Sequence, residues 1–142
     1  MPNTYIYCPL AWSQTYRGSF IGFKDLLFFI PDQPSQVGYQ AVIDSRYRSN
    51  GTTPPAIIQQ MIHEHKPSEE ELKTSLFAMF PHDESLRCEL RDYKYFKINN
   101  GWFPFTRNIT VLHTGKLIPF QVQIKNRDFL QTAQTFYQGY LT

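Results

Sequence analysis

Glycine is scarce in this chain, with seven among 142 residues. None falls in the Gly-x-Gly-x-x-Gly or Gly-x-x-x-x-Gly-Lys order that cradles phosphates, so nucleotide-dependent catalysis has no support in the sequence. Cysteine is scarcer. Cys8 and Cys88 are the only two, and their wide separation matches neither a metal-type nor a redox pair, so both are expected as buried small hydrophobes in a reducing compartment. Charge of one sign is also lacking. Fourteen basic against twelve acidic side chains leave +2 with neutral histidines, too weak a field to attract DNA or an anionic membrane in general. No apolar run approaches the ~20 residues of a membrane span, and the opening Met1 to Leu10 has neither a basic leader nor a secretory apolar core. The expectation is a cytoplasmic protein with no membrane partner.

What the chain does have is apolar and aromatic content. Hydrophobic residues make up 42% and aromatics 16%, enough to build a core without staples, and the length suits one globular domain over residues 1–142. Ten prolines are scattered as punctuation and mark no linker. Strands are expected at Thr4 to Leu10 and within the apolar run Ser19 to Ile30, which Pro31-Asp32-Gln33-Pro34 stops. Val37, Tyr39, Ala41 and Ile43 alternate with Gly38, Gln40, Val42 and Asp44, the two-residue period of a half-buried strand.

Two helices follow. Thr53 caps the first, Pro54 or Pro55 opens it, and Ile57, Ile58, Met61, Ile62 and His65 recur at helical spacing before Lys66-Pro67. Ser68-Glu69-Glu70-Glu71 is a capping box for the second, with Leu72, Leu76, Met79 and Phe80 as its buried stripe and Pro81 as its stop. The second half reads as a meander: a long strand Leu86 to Ile98, a turn at Asn99-Asn100-Gly101, a bent return through Trp102 to Arg107 and Ile109 to His113, a turn at Thr114-Gly115, and a strand Leu117 to Ile124. Asn126 caps a terminal helix bearing Phe129, Ala133, Phe136, Tyr137 and Tyr140 on one face. The elements do not alternate as parallel crossover units do. The predicted class is α+β, a mainly antiparallel sheet with a C-terminal meander, a central helix pair and a C-terminal helix packed on it.

Catalytic signatures mostly fail on spacing. His63 and His65 point roughly 200° apart on a helix, so they do not grip one metal, and neither a metal nor a cofactor is expected. His82-Asp83-Glu84 contains the His-x-Glu of zinc deaminases but lacks the downstream Pro-Cys-x-x-Cys. Cys88 alternates with Leu86 and Leu90, which suits a core thiol better than a nucleophile paired with a histidine.

One anomaly remains on the even-numbered face of the Leu86 to Ile98 segment, where Asp92 and Lys94 interrupt apolar residues. Asp92-Tyr93-Lys94 resembles the acid-x-lysine element of the Pro-Asp…Asp/Glu-x-Lys nucleases. The resemblance implies a divalent metal held by Asp92 with an earlier acid, Asp44 or Asp32, beside a positioning Lys94. The structural alternative is a bulge that shifts the strand's phase. Aromatic and basic residues are interleaved at Arg46-Tyr47-Arg48 and Tyr93-Lys94-Tyr95-Phe96-Lys97, the pattern of single-strand nucleic-acid platforms. That gives Arg46, Arg48, Tyr93, Tyr95 and Lys97 as a nucleic-acid alternative. Arg17 to Phe23 is similar to the aromatic box of RNA-recognition motifs and Ile6 to Leu10 to its partner box, but too few residues lie between them for that fold.

The leading expectation is therefore a small non-enzymatic protein-binding module, such as an adaptor, inhibitor or assembly factor, that acts on another protein and forms a homodimer. Its predicted contact residues are Trp102, Phe103 and Phe105 beside the Asn100-Gly101 turn, with Tyr47 and Arg48 in a second loop, because large rings beside turns are hard to bury.

Overall fold

A computed structural model describes residues 4–14, 16–32, 53–80, 84–103 and 106–142. Seven strands form one antiparallel sheet in the order β4-β3-β2-β1-β7-β6-β5. They are β1 (Tyr5–Ser13), β2 (Tyr16–Phe23), β3 (Leu26–Pro31), β4 (Arg87–Glu89), β5 (Tyr93–Asn99), β6 (Asn108–His113) and β7 (Phe120–Gln123). The helices are α1 (Pro54–His65), α2 (Glu69–Met79) and α3 (Arg127–Phe136). The class is α+β, as the order of sequence signals implies. The expected strand at residues 37–44 lies outside the described residues.

The apolar run from Ser19 to Ile30 supplies two strands rather than one. It turns at Lys24-Asp25, and β2 pairs with β3 from Gly18↔Pro31 to Gly22↔Leu27. Both arms are almost wholly apolar because this hairpin is buried on both faces, so outside the exposed Lys24-Asp25 turn neither face needs polar side chains. Phe20, Leu27 and Phe29 join one core with α3, while Ile21, Phe23, Leu26, Phe28 and Ile30 join a second with α1 and α2.

The helix signals act where the sequence places them. The Thr53 hydroxyl accepts from the Ala56 amide, and Ser68 and Glu71 close a capping box. In α3 the Asn126 side chain accepts from the Phe129 amide at 3.1 Å. Leu72, Leu76, Met79 and Phe80 are buried as expected, but His65 is exposed and leaves the apolar stripe to Ile57, Ile58 and Met61. The reason is the chain's turn at Lys66, which takes a left-handed conformation at φ +43° and ends the helix at His65, at the solvent side.

The predicted strand from Leu86 to Ile98 is interrupted. Glu84–Leu86 is a short 3-10 turn, β4 ends at Glu89, and Asp92 sits at φ +51° before β5 begins. The register then slips between Tyr93 and Tyr95. The return strand also starts later than expected, at Asn108, and β7 is limited to Phe120–Gln123.

Although β4 and β5 are opposite ends of the strand order, only residues 90–92 separate them in the chain. Four chain steps span at most about 14 Å, so the sheet curls until its ends approach. The imidazole of His113, on β6 opposite Tyr93 of β5, reaches across to β4, 2.7 Å from the Glu89 carbonyl. Inside the curl, Leu130, Ala133 and Tyr137 pack against residues from all seven strands. Tyr137 is fully buried and its hydroxyl donates to the Phe23 carbonyl at 2.7 Å. Gly22 makes room for it, since a Cβ there would lie 2.3 Å from that hydroxyl. The outer edge of β5 is covered by the chain itself. Thr142 exchanges two 2.8 Å hydrogen bonds with the Phe96 backbone, and Gln134 donates to the Ile98 carbonyl. Covering an edge in this way protects it from pairing with other chains.

Candidate functional site: an aromatic loop and a cleft at the sheet's seam

The hairpin between β5 and β6 carries the aromatic pair. Trp102 is 79% exposed and Phe103 58% exposed, so their rings stand outside the core while the backbone beneath them is held. Arg107 organises that backbone through a fork: Nε donates to the Gly101 carbonyl at 2.9 Å, one terminal nitrogen to Trp102 at 2.9 Å and the other to Lys125 at 3.0 Å. The Thr106 hydroxyl donates to the Phe103 carbonyl at 2.6 Å. Asn100 ties the same turn to α3 through the Arg127 carbonyl, and the Arg127 guanidinium lies 5.8 Å from the Trp102 ring. A planar five-donor guanidinium fixes three carbonyls in a way a lysine does not. Phe105, Tyr47 and Arg48, the other expected contact residues, lie outside the described residues.

The remaining sequence candidates are placed as follows. Asp92 and Lys94 are both exposed, which corrects the expectation of a charged pair on a buried face. The strand is broken at Asp92 and slips at Lys94, and the left-handed φ of Asp92 is one that Asp and Asn adopt more readily than other non-glycine residues. Asp44 and Arg46 lie outside the described residues. Tyr93 packs edge-on against Phe96 and donates its hydroxyl to the Tyr140 carbonyl at 2.7 Å. The slip therefore turns Tyr93 towards the core while Tyr95 stays beside Lys97, whose ammonium is 5.2 Å from the ring. Tyr95 and Lys97 are brought together; Tyr93 is engaged elsewhere.

The fold does bring Cys88 to a histidine, a neighbour the sequence gives no reason to expect. Cys88 Sγ is 3.9 Å from His113 Nε2. That nitrogen is committed to the Glu89 carbonyl, which only accepts, so Nε2 carries the proton and donates. It has no lone pair with which to take the thiol's proton. Burial, and then the negative charge of Glu89, push the Cys88 thiol up to about 12, so it stays protonated at neutral pH. The pair is a packing contact rather than a nucleophilic dyad. Cys8 is likewise a free, buried thiol, raised by burial.

Sequence reasoning missed the cleft beside this pair. The β1–β7 seam consists of the single pairing Trp12↔Gln123. Next to it, the end of β1, the start of β4 and the β6–β7 hairpin enclose about 720 Å³. Its lining comes from segments distant in the chain, so no local motif announces it. The hairpin tip on its rim presents Leu117 and Ile118, 96% and 85% exposed. Among the described residues, no three His, Cys, Asp or Glu side chains converge as metal ligands, and no helix is long and apolar enough to cross a membrane. Comparison with protein-family models, curated proteins and solved structures finds no match.

Proposed function

We propose that this chain is a non-enzymatic protein-binding module of the cytoplasm, with the Trp102–Phe103 loop as its contact surface and a second copy of the chain as its first partner. The observation that carries this reading is the pairing of exposed rings with a tethered backbone. Trp102 and Phe103 present large apolar area, and the Arg107 fork holds the Gly101 and Trp102 backbone in place before any partner arrives. A pre-organised loop loses little entropy on binding, and tryptophan and arginine are the residue types that dominate interface energetics. Arg127, beside Trp102, supplies the cationic rim. Twofold self-association is the commonest closed arrangement for covering such a patch. Two free thiols suit a reducing compartment.

Sedimentation equilibrium over a range of concentrations tests the first partner. The expected result is a monomer–dimer equilibrium that Trp102→Ser weakens by at least about 2 kcal/mol, roughly thirtyfold, without loss of the folded signal. If the wild type is monomeric throughout, capture from native lysate with nuclease added is compared between the wild type and the Trp102→Ser, Phe103→Ser double variant. A protein retained by the first and lost by the second supports a heterologous partner. Monomers together with identical captures refute the loop as a contact surface.

A further inference from the structure

We infer that the cleft at the β1–β7 seam is a small-molecule site that takes an aromatic carboxylate. Its volume, about 720 Å³, lies within the range of ligand pockets. Its walls divide by chemistry. Trp12, Phe120 and Ile118 supply flat and apolar surface, whereas Arg87 and Lys116 supply two cations against one carboxylate, Glu84, among the described lining residues.

Three features point to an anion with a ring rather than to a neutral apolar guest. First, the lining's charge is net positive, and a cleft with low-dielectric walls concentrates anions. Second, Arg87 lines the cleft while its guanidinium is anchored at the end of α2. Its guanidinium lies 4.8 Å from the Phe77 ring, and one terminal nitrogen donates to the Phe80 carbonyl at 3.4 Å. A guanidinium has five N–H donors, so this leaves donors for a carboxylate, the geometry arginine suits best. Third, the indole N–H of Trp12 is buried without a hydrogen-bond partner among the described residues. Buried donors are seldom left so; this nitrogen has no exposed surface, so an acceptor would satisfy it only where the seam beside the ring opens slightly. The seam itself is the sheet's weakest junction, one paired position instead of a ladder, so small movements of β1 against β7 break few hydrogen bonds. This site is separate from the Trp102 loop and does not depend on the reading proposed for it.

The chain holds two tryptophans, Trp12 and Trp102, which makes the test internally controlled. Isotope-labelled full-length protein is titrated with naphthoate, and with naphthol as the uncharged ring, while the two indole N–H signals are followed by NMR; Trp12→Phe assigns them. The expected result is saturable movement of the Trp12 signal with naphthoate only, the Trp102 signal staying in place. Lys116→Gln, a change on an exposed hairpin, should weaken binding on the order of tenfold. No response, an equal response to naphthol, parallel movement of both signals, or unchanged affinity in Lys116→Gln would each overturn the assignment.

Discussion

Removing one oxygen from the core tests how the curled sheet is held on its helix. In Tyr137→Phe the ring stays, with its contacts to Phe96 at 5.1 Å and Phe136 at 4.9 Å between centroids. The 2.7 Å bond to the Phe23 carbonyl is lost. No cavity larger than the oxygen opens, so the cost is that of leaving a buried acceptor without its donor, about 1–3 kcal/mol. Gly22 gives a second handle. A methyl there would lie 2.3 Å from the hydroxyl, so Gly22→Ala must displace the oxygen and forfeit the same bond. In the Tyr137→Phe background that bond is already gone and the obstructing atom with it. The two costs should therefore be less than additive, with a coupling of about 1 kcal/mol or more. Urea unfolding of the wild type, both single variants and the double variant measures this, with a lowered midpoint and an unchanged slope marking a loss of stability alone. A Tyr137→Phe midpoint within about 0.5 kcal/mol of wild type, or strict additivity, would refute the reasoning.

Alkaline unfolding follows from the buried thiol. In Cys88 the folded state holds its proton up to about 12, above the ordinary value of 9.0. Stability is therefore fully present below pH 9 and falls as pH rises from there, by at most about 1.4 kcal/mol per pH unit for this group. Tyr137, raised by burial and then by Asp25 among other negative charges, adds a loss of the same sign above pH 10. Urea midpoints measured against pH should fall less steeply in Cys88→Ala; identical slopes would count against the thiol's part. Arg107→Lys keeps the charge but loses the fork, so about 1–3 kcal/mol of stability and much of the loop's order should go, read by urea unfolding and by the hydrogen exchange of residues 100–108. At Asp92, φ +51° favours glycine, so Asp92→Gly should be neutral or stabilising by up to about 1 kcal/mol, and Asp92→Ala destabilising by a similar amount. A large loss of stability in Asp92→Gly would show that the carboxylate is held by interactions beyond the turn.

Local chemistry was enough to locate the helices. Thr53, Ser68 with Glu71, and Asn126 each cap a helix through contacts that span three residues, and such contacts are written in the sequence whatever the rest of the fold does. The α+β class and the antiparallel second half followed from the same kind of signal, alternation punctuated by turns. The breaks in strands did not. The arms of Ser19 to Ile30 are almost wholly apolar because two cores meet at one hairpin, and strands buried on both faces carry no two-residue period, so the exposed pair Lys24-Asp25 is the one sign of the turn. The slip that sends Asp92 and Lys94 to solvent and Tyr93 to the core shows in the sequence only as a broken alternation, which offers a phase-shifting bulge as one reading without locating it. Exposed rings at Trp102 and Phe103 were legible because a turn beside bulky aromatics leaves them little to pack against, but the Arg107 fork beneath them was not. Only the tertiary structure brought Cys88 to His113, laid Thr142 along the edge of β5, and opened a cleft between Trp12 and the β6–β7 hairpin. Each joins residues far apart in the chain, and such meetings are decided by how tightly the sheet curls around Tyr137 rather than by any neighbour in sequence.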